Sequence, residues 1–192
     1  TSHPFSSSAF RGKSQNGDYG DSVEELDWST GEIMKTLSRL GLAENTLVVW
    51  TSDNGAVARN PSQGSCAPYR GAGYDTSEGA MRMPCVMRWP GKIPAGTVQD
   101  KVCSTMDLLP TFANLAGAPL PGKPIDGRDV TPLIVGNSDA QSHWDETGFF
   151  YYRLEQLQAV RSGPWKLYLP LEQKYVNLSR RSETSKLELF DV

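Results

Sequence analysis

Apolar residues follow two different periods along this chain, and the change of period divides it. Val23, Leu26, Thr30, Ile33, Met34, Leu37 and Leu40 recur at helical spacing and predict an amphipathic helix from about Ser22 to Leu40. Ser22 with Glu25 three residues later forms a candidate capping box, and Gly41 is a natural stop. Leu47 to Thr51 is then apolar and β-branched without alternation, as in a strand covered on both faces. Ala56 to Thr76 is rich in Gly, Pro, Ser and Asn and predicts a long loop, and loops of this length inside a domain are usually functional or disordered. Met83 to Trp89 predicts a second buried strand, closed by a Pro90-Gly91 turn. Asp107 to Ala116 predicts a short helix with Leu108, Leu109, Phe112 and Leu115 facing inward.

Residues 118–145 are rich in Pro, Gly and Asp and read as a connection. Beyond them the character changes. Gly148–Arg153, Leu157–Arg161, Trp165–Leu169 and Leu187–Phe190 are short, aromatic-rich segments, with Ser162-Gly-Pro164 as a turn between two of them. They predict a small antiparallel sheet. The expected organisation is an α/β region over 1–120, a connecting segment over 121–145 and the sheet module over 146–192.

Composition narrows the function classes. The chain has 192 residues, 38% hydrophobic and 21% charged, which is ordinary for a globular protein. A net charge of −3 without a basic run argues against nucleic acid as a partner, and no apolar run has membrane-spanning length. Three scattered cysteines make neither a disulfide framework nor a Cys-x-x-Cys zinc site. Cys85 and Cys103 are expected as buried thiols that pack as small hydrophobes, while Cys66 lies in the Gly/Ser-rich loop.

Chemistry concentrates at Ser52-Asp53-Asn54-Gly55, directly after the first predicted strand. A carboxylate and a carboxamide at a strand's C-terminal end are hard oxygen donors of the kind Ca²⁺ or Mg²⁺ takes. Asn-Gly is equally a strong turn signal, with Asp53 only capping it, so these residues alone leave both readings open. Asp27, beside the helical stripe, reads as a solvated carboxylate.

The flanking motifs extend the pattern. Phe10-Arg-Gly-Lys-Ser14 lies upstream. Tyr69-Arg-Gly71, Ser77-Glu-Gly-Ala-Met-Arg-Met-Pro84, Arg88-Trp-Pro-Gly91 and Met106-Asp-Leu-Leu-Pro-Thr111 lie downstream. In this order the chain resembles the sulfatases, sulfate-ester hydrolases of the alkaline-phosphatase-like superfamily, over nearly its whole length. Arylsulfatase-type enzymes are the nearest in look. The resemblance implies an alkaline-phosphatase-like mixed sheet, present in part, followed by the antiparallel module. It also implies hydrolysis of a sulfated small molecule or glycan by a formylglycine nucleophile with a divalent cation, usually Ca²⁺. Asp53 and Asn54 would be ligands of that cation, and His3 would contact the sulfate. A periplasmic, secreted or lysosomal setting goes with the family.

Four departures qualify that picture. The family's adjacent aspartate ligands and its Cys-x-Pro-x-Arg nucleophile lie early in the full enzyme. No Asp-Asp pair occurs here, so the sequence is expected to be the C-terminal portion of a longer enzyme and inactive alone. Cys66-Ala-Pro-Tyr-Arg70 is a literal Cys-x-Pro-x-Arg, but it follows the metal strand and is read as a chance match. The family lysine that helps hold the sulfate falls, by its spacing from Glu78-Gly79, on Gly73. Arg70 is the candidate substitute, with Arg82 beside it, although a planar guanidinium does not replace an ammonium silently. Two alternatives therefore stand beside the sulfatase reading: a phosphomonoester or phosphonate hydrolase of the same superfamily, and a non-catalytic ligand-binding relative.

Overall fold

The computed structural model describes residues 4–57, 63–171 and 186–192. They form two units, Thr1–Tyr74 with Gly79–Gly91, and Asp75–Glu78 with Lys92–Val192.

In the first unit a helix, α1, runs from Gly17 to Arg39, five residues longer at its start than the apolar stripe predicts. The Ser22/Glu25 capping box does not form, because those residues are already inside the helix. Ser22 Oγ donates to the carbonyls of Asp18 and Phe5, and Glu25 accepts from the Ser7 amide. What fixes the entry is Asp21, a buried carboxylate that accepts from the amides of Gly12, Lys13 and Ser14 at 2.6–3.0 Å. Those three N–H groups, Ser14 foremost, hold its pKa below the ordinary 3.8. The apolar stripe is present as predicted, but Val23, Leu26 and Ile33 are largely exposed among the described residues. Asp27 is also exposed, as expected of a solvated carboxylate.

Strand β1 (Val48–Thr51) pairs antiparallel with β2 (Cys85–Arg88), with Val48 opposite Arg88 and Thr51 opposite Cys85. Both strands are where the sequence puts them. Their burial is not: β1 is half-buried and β2 mostly exposed, because only one ladder covers them here. Cys85 is exposed as a result, and Cys103, on a loop of the second unit, is exposed too, both against the expectation of buried thiols. Between the strands, a one-turn helix α2 (Glu78–Met81) begins on the last residue that the second unit takes from this region.

In the second unit, helix α3 (Leu108–Leu115) follows a 3₁₀ turn over Thr105–Asp107. It buries Asp107, Pro110 and Thr111, whereas Leu109 and Phe112 are exposed, so its inward face is rotated from the one predicted. The stretch expected as plain connection carries two short helices, α4 (Thr131–Ile134) and α5 (His143–Thr147). The aromatic segments form an antiparallel sheet in the order β3 (Phe149–Arg153), β4 (Gln156–Ser162), β5 (Trp165–Tyr168), β6 (Glu188–Asp191). Tyr151 opposes Ala159 but Tyr152 opposes Leu157, so Gln158 is the extra residue of a bulge. Tyr151, Gln156, Gln158, Ala159, Arg161, Lys166 and Tyr168 are the sheet's buried residues among those described, with Phe149 and Phe190 packed edge-on against the two tyrosines. Phe150, Tyr152, Trp165 and Leu189 alternate with them and are exposed. Among the described residues no helix is long and apolar enough to cross a membrane.

Candidate functional site

The residues singled out from the sequence, His3 apart, lie in the first unit around the end of β1. Gly55 donates its amide to the Ala80 carbonyl at 2.7 Å, and Gly73 donates to the Ala56 carbonyl at 2.8 Å. Gly79 donates to the Arg70 carbonyl at 2.9 Å. Three segments far apart in sequence, 53–57, 66–73 and 79–80, are thereby bonded backbone to backbone. Only glycine permits the approach at Gly55, where a Cβ would sit 1.9 Å from the Gly79 carbonyl oxygen. Thr51 Oγ1 donates to the Pro84 carbonyl at 3.0 Å and ties the end of β1 to the entry of β2.

This interlock presents Asp53 and Asn54 on the surface. Both are exposed, and among the described residues the one hydrogen-bonding neighbour of the Asp53 carboxylate is Ser52 Oγ at 3.5 Å, too long to occupy it. Their oxygens are free for a cation. They are two ligands where Ca²⁺ takes six to eight. Among the described residues no group of three or more His, Cys, Asp or Glu is poised to complete the set. The pair fits as part of a hard-cation site.

Arg70 lies in the second bonded segment, with an exposed side chain that makes no hydrogen bond or ion pair among the described residues. Arg82 is committed elsewhere: its guanidinium stacks 4.6 Å from the centroid of the Tyr69 ring. Cys66 is partly buried, and its thiol donates to the Ala56 carbonyl at 3.3 Å. Gly73 is buried, and a Cβ there would lie 3.1 Å from both the Gly55 oxygen and Val57 Cγ2. A lysine at this position would therefore require the 55–57 segment to give way by a few tenths of an ångström. His3 lies outside the described residues.

The whole chain matches known proteins in two overlapping stretches. Residues 2–118 match the family model described as Sulfatase. The chain belongs to the sulfatase family. Residues 74–192 match the C-terminal region of N-sulphoglucosamine sulphohydrolase. This sulfatase chain is 45% identical over 177 residues to human steryl-sulfatase, covering 85% of the chain and 30% of that protein. It is 42% identical over 167 residues to canine N-acetylgalactosamine-6-sulfatase, covering 85% and 31%, and 40% identical over 169 residues to human arylsulfatase A, covering 85% and 32%. The chain thus spans about a third of the length of the curated relatives it matches. Among solved structures, a sulfatase from Pseudoalteromonas sp. superposes with a TM-score of 0.76 at 26% identity, over 99% of this chain and 38% of that one. A Bacteroides thetaiotaomicron protein from work on glycosaminoglycan metabolism gives 0.76 at 29%, over 96% and 40%. The fold of this sulfatase chain is accordingly α/β of the alkaline-phosphatase-like type.

The second unit holds buried charge that the sequence reading passed over. Lys166, 0% exposed, donates to Glu78 Oε1 at 2.7 Å and to the Thr76 carbonyl at 2.6 Å, with its ammonium 3.6 Å from the Tyr151 ring centroid. Arg161 donates to the other Glu78 oxygen at 2.8 Å. Burial lowers the Lys166 pKa, and the Glu78 charge opposes that shift. Burial likewise raises the pKa of Tyr151, so its phenol stays neutral. Glu78 belongs to the Glu-Gly motif, so its structural role was legible. Its partners were not, beyond the parity that puts Lys166 on the same strand face as Tyr168. A second buried centre is Asp107. It accepts from the Ser104 and Arg128 amides, Trp144 Nε1 and His143 Nε2 at 2.8–3.0 Å. The spacing Ser104-x-x-Asp107 is a capping-box signal that points to it.

Proposed function

We propose that the protein hydrolyses sulfate monoesters, with this chain supplying Asp53 and Asn54 to a divalent cation and Arg70 to the sulfate. The observation that carries this is the backbone interlock at Gly55, Gly73 and Gly79. It holds two unengaged hard donors and one unengaged guanidinium on adjacent segments. A bound Ca²⁺ or Mg²⁺ would neutralise sulfate charge and polarise the ester. Within this chain, Asp53 supplies the charged donor and Asn54 a neutral one. Arg70 offers a planar fork that suits tetrahedral oxyanions bidentately. The formylglycine nucleophile and the remaining metal ligands belong to parts of the protein outside this chain. The substrate is a sulfated small molecule or glycan. The relatives' names span sterol, aryl and sugar sulfates at similar identity, so identity alone does not choose among them.

Gly73 favours a second reading, a ligand-binding relative without turnover, since no cationic side chain occupies its place. Turnover of 4-nitrophenyl sulfate by the whole protein separates the two. On the sulfatase reading, Arg70→Ala lowers kcat/KM about 10²–10³-fold, the loss typical of one preorganised transition-state donor. Gly73→Lys leaves turnover unchanged or reduces it, because its Cβ crowds Gly55. If the wild type is inactive and Gly73→Lys confers activity, Arg70 has not taken over the lysine's task and the second reading holds.

A further inference from the structure

Tyr74 directly follows Gly73 and has φ +79°, in the left-handed region that a bulky side chain rarely adopts. Its ring is 56% exposed and makes no aromatic, cationic or hydrogen-bonding contact among the described residues. A glycine would adopt the same backbone without strain, as glycines do at eleven other positive-φ positions described here. Residues held in sparsely populated backbone regions cluster at active sites and ligand clamps. This one lies one residue from the Gly73 amide that bonds the Ala56 carbonyl, and four residues from Arg70.

We infer that Tyr74 is a substrate-binding residue, an aromatic platform that stacks on the ring of the group carrying the sulfate ester. The inference rests on the sulfatase reading for the location of the sulfate. The chemistry it selects is a flat ring face, either an aryl ring or the C–H face of a pyranose. An exposed tyrosine offers such a surface at low entropic cost, since only two torsions are fixed on binding.

The test uses the whole protein, NMR titration and five probes. They are methyl sulfate, 4-nitrophenyl sulfate, a 6-sulfated N-acetylhexosamine, and the unsulfated counterparts 4-nitrophenol and N-acetylhexosamine. Tyr74 ring signals should shift with at least one ring class, sulfated or not. The better ring-bearing sulfate should bind about fivefold tighter than methyl sulfate, as expected for one aromatic contact. Tyr74→Gly should erase that advantage and, by relieving the positive φ, raise the melting temperature. Tyr74→Phe should keep the affinity. The aryl and sugar arms report which ring the platform takes. If ring-bearing sulfates shift Asp53, Asn54 or Arg70 but Tyr74→Gly binds them equally well, the platform is refuted and the sulfatase reading stands. If unsulfated rings shift Tyr74 and the sulfate adds nothing, the platform stands and the sulfate subsite is refuted. If no probe shifts any of these signals, both are overturned. A melting temperature that falls in Tyr74→Gly would make the tyrosine a structural residue and overturn the inference.

Discussion

Glu78→Gln is the most revealing single change in the second unit. The wild-type carboxylate faces two cations at once, Lys166 at 2.7 Å and Arg161 at 2.8 Å, and the side chains of all three are 10% exposed or less. The amide keeps the shape and removes the one carboxylate that ion-pairs with them among the described residues. Breaking a buried ion pair from one side typically costs about 3–5 kcal/mol, because the surviving charge is left uncompensated in low dielectric. At about 2–4 °C per kcal/mol for a chain of this size, the melting temperature should fall by roughly 6–20 °C. Lys166→Met is the control. It leaves Glu78 paired with Arg161, and the Thr76 carbonyl keeps a bond from the Tyr168 hydroxyl at 3.2 Å. Its cost should be about 1–3 kcal/mol.

The pH dependence gives a second, independent signature. Burial already sets the folded pKa of Lys166 below 10.5, and Glu78 is the largest influence acting the other way. Without Glu78 the folded value drops further. Between that value and 10.5 the unfolded chain binds more protons than the folded one, so stability rises with pH in that window. The deficit of Glu78→Gln relative to wild type should shrink from pH 7 to pH 10, measured by urea midpoints at matched temperature. A deficit that stays constant, or a Glu78→Gln variant more stable than Lys166→Met, would refute the argument that this carboxylate neutralises two buried cations.

Two further changes probe two of the other buried carboxylates, Asp107 and Asp21. Asp107→Asn presents an NH₂ group where the carboxylate accepted four N–H donors. At roughly 1–3 kcal/mol per donor left unmet it should cost at least about 2 kcal/mol, and the loss of the Trp144 partner should show as a red shift of tryptophan emission. The folded pKa of Asp21 is held below 3.8 by the Ser14, Gly12 and Lys13 amides, so its contribution is complete above 3.8 and is lost as pH falls through the folded value. Asp21→Asn should lower the urea midpoint at pH 6, and that deficit should shrink steadily as the pH is taken below 3.8.

The strands were legible because β-branched and aromatic runs have few other uses at that length. The bulge at Gln158 was not, since it depends on which partner residue lies opposite. The period of α1 identified its apolar stripe but carried no information on what covers it, and Val23, Leu26 and Ile33 are exposed here. Cys85 failed for the same reason: an apolar run says that a strand forms, not that both its faces are covered. Asp53, Asn54 and Arg70 were readable as residues, and the family motifs placed them in order. The interlock that joins them was not readable, because it is made of backbone amides and carbonyls, which every sequence has. Only the glycines betray it, and a glycine in a loop has many explanations until the facing carbonyl is seen.

That interlock bears on how one scaffold serves different sulfates. Steryl-sulfatase, arylsulfatase A and N-acetylgalactosamine-6-sulfatase match this chain at 40–45% identity while being named for different leaving groups. Discrimination among such groups cannot reside in the shared frame. In this chain the frame is a set of glycine contacts in which a Cβ at Gly55 would clash with backbone. Such a contact tolerates little change. The side chains it displays, Arg70 and Tyr74, are both exposed. They are free to vary at little cost in stability. A strained tyrosine where a glycine would be relaxed, beside the glycine that stands at the position where the resemblance leads one to expect a lysine, is the kind of exchange such a frame permits. On that reading charge is withdrawn from one position and ring surface is added at the next, while Asp53 and Asn54 stay on the segment that the Gly55 amide bonds in place.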